Sequence, residues 1–166
     1  QIQERVSELG QQISFDYKED TDTHLVLMVI LKGGVYFSTD LSNSISHPNI
    51  RMDYMGVSSY GRGTESSKAP VVTLLPSIVI TGCNVIVIED IVDTGYSMAF
   101  ILEILSAQQP KSLKVCTLLS KPDRRELEVP IDYLGFEIPD VWVQGYGLDT
   151  DGCGREWSFI AQKVTA

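Results

Sequence analysis

The sequence predicts an α/β fold with a mostly parallel, doubly wound central sheet flanked by helices. Two observations carry that expectation. The stretches 25–31 (LVLMVIL) and 84–88 (NVIVI) are nearly continuous aliphatic and β-branched runs of strand length, the pattern of parallel strands covered on both faces. Strand-like runs of this kind alternate along the chain with segments whose apolar residues recur at helical spacing.

Taken in order, Ile2, Val6, Leu9 and Ile13 in a polar background predict an amphipathic helix over 1–18. Polar residues 18–22 end it, and the strand 24–31 follows, closing at Lys32-Gly33-Gly34. A helix over 35–46 is stopped by Pro48, and the alternation of Ile50, Met52, Tyr54 and Gly56 reads as a strand. Segment 58–68 (SSYGRGTESSK) has no apolar periodicity and is a loop of the length that lids and disordered segments have. Residues 71–75 pair locally, before a turn at Thr81-Gly82. The strand 84–88 ends in Glu89-Asp90. Met98, Phe100, Ile101, Ile104 and Leu105 then mark a largely buried helix, closed by Pro110. Further strands fall at 112–119 and 131–136, and the stretches 141–144 and 157–163 close the sheet. No repeat or linker divides the chain, so residues 1–166 are expected to form a single domain with a flexible lid over about 58–68.

Composition narrows the function classes. The chain has 166 residues, 43% of them hydrophobic and 21% charged, enough for a buried core. No apolar run approaches the length needed to cross about 30 Å of hydrocarbon, so no membrane span is expected. Thirteen Lys and Arg against 22 Asp and Glu give a net charge of −9, which argues against nucleic-acid binding through phosphate neutralisation. A small anionic ligand in a local cationic or dipolar pocket stays open. Cys83, Cys116 and Cys153 are widely spaced, and the chain has two His, a set that supports neither a disulfide framework nor a zinc site. A reducing cytoplasm is the expected home.

The most informative stretch is 85–97, VIVIEDIVDTGYS. It reads as a strand, an acidic pair, and a Gly-containing turn that opens a helix. Amides at a helix start, backed by the positive end of its dipole, form an anion site. Thr94 and Ser97 add hydroxyls, and Gly95 allows close approach. Glu89 and Asp90 can accept from sugar hydroxyls or share a Mg²⁺ with the ligand, which leaves Asp93 for proton work. The plainer reading makes Asp93 a helix cap. Read alone, Lys32-Gly33-Gly34 is equally a strand-to-helix turn, Lys121 a solvated lysine and Trp142 a core residue.

This stretch resembles the phosphoribosyl-diphosphate signature of the type I phosphoribosyltransferases. Four further blocks, in the same order, resemble the hypoxanthine–guanine group of that family. They are Leu31-Lys32-Gly33-Gly34, Ser58-Ser59-Tyr60-Gly61, the block from Gly135 to Asp140 (GFEIPD) and the block from Gly145 to Asp149 (GYGLD). The resemblance implies the type I phosphoribosyltransferase fold, with its small hood region and mobile loop. It also implies a Mg²⁺-dependent purine-salvage activity: transfer of phosphoribosyl from 5-phosphoribosyl 1-diphosphate to hypoxanthine or guanine, giving IMP or GMP and pyrophosphate. A xanthine-preferring enzyme and a non-catalytic nucleotide sensor are the alternatives.

Carried over residue by residue, the resemblance implies that Glu89, Asp90, Asp93, Thr94, Gly95, Tyr96 and Ser97 bind the phosphoribosyl group. Asp93 is the implied general base or proton acceptor near purine N7. Lys32, Gly33 and Arg155 would meet pyrophosphate, with the family's cis peptide falling at Leu31–Lys32. Ser59 and Tyr60 belong to the lid. Lys121 would donate to the purine O6, Trp142 would stack on the base and Val143 would offer backbone contacts. Glu89, Asp90 and Asp149 are the implied Mg²⁺ ligands. Family members form homodimers or homotetramers. Ser97 stands where Thr is usual, and Trp142 where Phe or a similar aromatic is usual.

Overall fold

Strands β1 (Leu25–Leu31) and β4 (Asn84–Val92) form the middle of a six-stranded sheet. A computed structural model describes residues 1–59 and 70–163. The expected lid therefore lies outside the described residues from Tyr60 onward, and the side chain of Ser59 lies outside them too. The remaining strands are β2 (Ile50–Ser59), β3 (Pro70–Leu74), β5 (Ser112–Ser120) and β6 (Tyr133–Glu137), in the spatial order β3-β2-β1-β4-β5-β6. All neighbours run parallel except β3, which pairs antiparallel with β2 at the edge.

Successive strand side chains point to opposite faces, and both faces here are covered. On one, Leu25, Leu27, Ile86 and Ile88 join Val6, Leu9 and Ile13 of α1 (Ile2–Asp16) and Phe37 and Leu41 of α2 (Gly34–Ser44). On the other, Val26, Met28, Val85 and Val87 pack with Met98, Ile101 and Leu105 of α3 (Tyr96–Ser106). That is why the central strands are apolar without alternation. Among the described residues, no helix is long and apolar enough to cross a membrane, and the three cysteines are free.

Two expectations need correction. Strand β4 does not end at the acidic pair but runs on to Val92, because β5 continues beside it: Glu89 pairs with Thr117, Ile91 with Leu119 and Val92 with Ser120. The ladder uses peptide groups, so charged side chains do not stop it. Residues 141–144 and 157–163 do not close the main sheet. Within them β7 (Val143–Gln144) and β8 (Ala161–Gln162) form a separate antiparallel pair. The main sheet ends at β6, where Arg5 of α1 donates to the carbonyls of Leu134 at 2.7 Å and Gly135 at 3.1 Å and so occupies backbone acceptors of that strand.

Asp53 of β2 anchors the chain beyond β3. Its carboxylate accepts from the backbone N–H of Ser77 at 2.6 Å, of Ile78 at 3.0 Å and of Tyr54 at 2.9 Å. Burial pushes this carboxyl up, but those donors outweigh it and hold it below the usual carboxylate value. Its contribution to stability is therefore complete at neutral pH and is lost as pH falls through the depressed native value. Asp53→Ala is expected to lower the unfolding free energy by about 1–3 kcal/mol at pH 7 through unpaired buried donors. Urea denaturation checks this, with an unchanged midpoint as the contrary result.

Candidate functional site

Because β1, β4 and β5 are parallel, their C-terminal ends meet along one edge, where open α/β sheets bind ligands. At the end of β1 the Leu31–Lys32 peptide is cis. The next residue, Gly33, is buried against Asp90, whose carboxylate fills the space a Cβ would need. Any larger residue at 33 would push the acid or the loop away. Gly147 in turn lies against the carbonyl of Gly33, so the segment 145–149 closes over the β1 loop.

Burial pushes the carboxyls of Glu89 and Asp90 upward; the negative charge of Asp90 raises Glu89 further, while the Arg155 guanidinium acts in the opposite sense on Asp90. Two crowded carboxylates favour a shared proton or a hard cation. Their all-oxygen donor set suits Mg²⁺, which is usually held by one or two carboxylates together with ligand phosphates. No cluster of three metal-ligating side chains occurs among the described residues. The pair therefore fits a cation that arrives with its ligand better than a closed cage. Asp149, the third expected ligand, is engaged: Oδ1 is 2.5 Å from Arg155 Nη2, and Oδ2 accepts from the Gly152 amide at 2.7 Å.

Between β4 and α3 the chain turns through Asp93, Thr94 and Gly95. Gly95 has φ +96°, and a Cβ there would meet the Leu127 carbonyl, so both conformation and space call for glycine. The turn is stapled to the segment after β5. The Thr94 carbonyl accepts from the amides of Glu126 and Leu127, each at 3.0 Å. Arg125 donates from Nε to the Asp93 carbonyl at 3.0 Å, and from Nη2 to the Val92 carbonyl at 3.2 Å and Ser120 Oγ at 2.8 Å. Tyr96 sends its hydroxyl to Glu126 at 3.2 Å. A small cavity of about 90 Å³ opens beside the turn, with Glu89, Asp93, Thr94, Gly95 and Ser97 in its wall. Its lining includes the first turn of a helix, where the dipole favours an anion.

A second cavity, of about 230 Å³, lies next to it and shares Asp93. Its lining includes Asp90, Lys121, Trp142, Val143 and Asp149, drawn from three separate stretches of sequence. Lys121 follows β5; its amide donates to the Val92 carbonyl at 3.0 Å, and its nearly buried Nζ stands 3.8 Å from Asp140 Oδ1. Trp142 keeps its ring 58% exposed while Nε1 donates to Thr150 Oγ1 at 2.8 Å. The Oδ1 atom of Asp93 is buried and receives no hydrogen bond. Arg124 Nε is 2.9 Å away, close enough for an ion pair but off the line of a hydrogen bond.

Most of the expected residues thus converge. Lys32 is exposed and lines neither cavity. Arg155 lines neither as well, but it braces the site by donating to the Gly147 carbonyl at 2.5 Å. Sequence reading passed over Arg124, Arg125 and Thr150. The only signal for the arginines was an Arg-Arg pair shortly after a strand end. A larger cavity, about 580 Å³, is elsewhere, between the start of α1, β6 and residues 158–160.

Comparison with known proteins follows this geometry. Residues 1–151 match the phosphoribosyl transferase domain family. A hypoxanthine-guanine phosphoribosyltransferase of Mycobacterium avium is 45% identical over 165 residues, covering 96% of this chain and 80% of its own. A solved hypoxanthine-guanine phosphoribosyltransferase from Bacillus anthracis is similar with a TM-score of 0.90 at 39% identity, over 98% of this chain and 94% of that one. A hypoxanthine phosphoribosyltransferase from Trypanosoma cruzi, in complex with the product IMP, gives 0.87 at 34% identity, over 97% and 88%.

Arg125→Ala is expected to cost about 1–3 kcal/mol of unfolding free energy, from the buried acceptors it strands. Arg125→Lys should recover less than half of that, because an ammonium lacks the planar fork. Denaturant titration of both variants measures it, and a neutral alanine variant would show that the turn holds without the staple.

Proposed function

The chain belongs to the phosphoribosyltransferase family, and we propose that it is a purine-salvage enzyme of the hypoxanthine–guanine type. It transfers the phosphoribosyl group of 5-phosphoribosyl 1-diphosphate to hypoxanthine or guanine, giving IMP or GMP and pyrophosphate. The observation that carries this reading is the shared position of Asp93. It stands between an anion-favouring cavity at a helix start and a larger cavity that also holds Lys121 and Trp142.

In the reaction, the bond from ribose C1 to the diphosphate oxygen breaks as a purine nitrogen bonds to C1. The turn 93–97 holds the 5′-phosphate, and Glu89 and Asp90 take the ribose hydroxyls. The backbone of Lys32 and Gly33, with Arg155 behind, meets the leaving pyrophosphate. Mg²⁺, when bound, would be held by Glu89, Asp90 and Asp149 and would neutralise diphosphate charge. The Asp93 carboxylate, on a residue that lines both cavities, accepts the proton of purine N7 on the oxygen that Arg124 does not hold as positive charge develops on the base. The Lys121 ammonium is a donor only, so it favours the O6 of a 6-oxopurine and disfavours the amino group of adenine. Trp142 offers a ring face for stacking.

Free cysteines suit a reducing compartment and support a cytoplasmic location for this activity. A homodimer or homotetramer fits the reading, and exposed apolar residues such as Leu75 and Val79 are of the kind a second copy would cover.

With Mg²⁺ and phosphoribosyl diphosphate present, spectrophotometric assay should show turnover of hypoxanthine or guanine and none of adenine. Nucleotide binding without turnover of any base would favour a sensor instead. Asp93→Asn should lower kcat by about 10²–10⁴-fold with phosphoribosyl diphosphate binding largely kept; equal loss of both would count against a proton role. Lys121→Ala should raise the KM for purine by about 10–100-fold through one lost charged hydrogen bond. Unchanged guanine kinetics would remove Lys121 from the pocket.

A further inference from the structure

Arg124 lines neither cavity and has no part in the reaction just described, yet it pairs with Asp93, which lines both. It ends the 3₁₀ turn Pro122–Arg124 after β5, and its guanidinium lies between two carboxylates. Nε is 2.9 Å from Asp93 Oδ1, and Nη1 donates to Asp140 Oδ1 at 3.4 Å. That same Asp140 oxygen is 3.8 Å from Lys121 Nζ. The result is a string of alternating charge, Asp93–Arg124–Asp140–Lys121. Its two ends are the groups assigned to N7 and O6 of the purine.

We propose that Arg124 is a positioning residue for phosphoribosyl transfer: it holds the Asp93 carboxylate turned to the base, with Asp140 anchoring its outer edge. Three observations support this. First, Asp93 follows the acidic pair Glu89–Asp90 closely at one strand end, and Arg124 is the cation set against its carboxylate, at 2.9 Å. Second, the guanidinium sits 2.9 Å from Oδ1, which is buried, so it fixes that edge of the carboxylate and leaves the other oxygen, on a residue lining both cavities, for the base. Third, the two adjacent arginines make different contacts. Arg125 binds backbone carbonyls and Ser120, whereas Arg124 reaches carboxylates. As an ion pair at a partly exposed position, Arg124 contributes little to stability, so a large effect on turnover would not come from the fold. The guanidinium reaches the two carboxylates from separate nitrogens, Nε and Nη1, in a fixed planar fork, whereas a lysine would have to reach both from one flexible atom.

The inference rests on the transfer reading, and one set of kinetics separates the two. Wild type, Arg124→Ala, Arg124→Lys, Asp93→Asn and Arg124→Ala with Asp93→Asn are assayed with hypoxanthine and phosphoribosyl diphosphate. Arg124→Ala should lower kcat about tenfold, with the KM for phosphoribosyl diphosphate within about twofold, and Arg124→Lys should restore part of the loss. In the Asp93→Asn background, removing Arg124 should cost less than about twofold, because the residue acts through Asp93. A wild-type kcat in Arg124→Ala, or the same tenfold loss in both backgrounds, overturns the proposal while the transfer reading stands. A wild-type protein that converts no purine removes both. Should Arg124→Ala fail to fold, Arg124→Lys and Asp140→Asn decide. Each should lower kcat by about threefold with Asp93 present and have no effect without it; wild-type kcat in both overturns the role.

Discussion

Carboxylate crowding at one end of a parallel sheet is the constraint that organises this molecule. Glu89, Asp90, Asp93, Asp140 and Asp149 all stand around the ends of β1, β4 and β5 or the segment that covers them. Two like charges 4 Å apart near a protein surface repel by about 4 kcal/mol. Burial of the first two adds to that cost and shows as their raised proton affinity. The surrounding structure answers it with Lys121, Arg124 and Arg155 at the carboxylates. A glycine at 33 leaves room for the Asp90 carboxylate itself.

The scaffold makes that arrangement possible by keeping the strand ends stiff. Helices on both faces bury β1 and β4 completely up to the residues that carry charge. The turn that follows β4 is then tied down from outside by the segment after β5, through Thr94 and Arg125. Rigidity at the backbone and reach at the side chains coexist: the peptide groups of Val92, Asp93 and Thr94 accept hydrogen bonds, while the Asp93 side chain lines both cavities. Such a site is prepared for a ligand carrying an N–H donor on one side and a phosphate on the other.

Much of this was legible in the sequence, and the reasons are local. Continuous apolar runs announced β1 and β4, and apolar positions at helical spacing announced α1 and α3, because burial on both faces or on one stripe leaves a periodic trace. The acidic pair and the Gly95 turn were legible because each sits at a strand end, whereas Lys121, which read alone is a solvated lysine, was singled out by the family resemblance. What escaped depends on distance along the chain. Strand β4 looked finished at Glu89 because charge suggested exposure, yet its ladder is set by β5. The pairing of β7 with β8 followed the turn conformations between them, which give Gly145, Tyr146 and Gly147 positive φ. Arg124 and Arg125 looked like solvated neighbours, and only tertiary contact sent one to carboxylates and the other to carbonyls.

The central claim is that the turn 93–97 holds a sugar phosphate while the adjoining cavity holds a 6-oxopurine. A crystal structure of the protein soaked with IMP tests it most directly. The phosphate is expected on the amides and hydroxyls of residues 94–97, with the purine ring between Trp142 and Asp93 and its O6 toward Lys121. A phosphate bound elsewhere, or a base outside that cavity with the turn empty, would contradict the account.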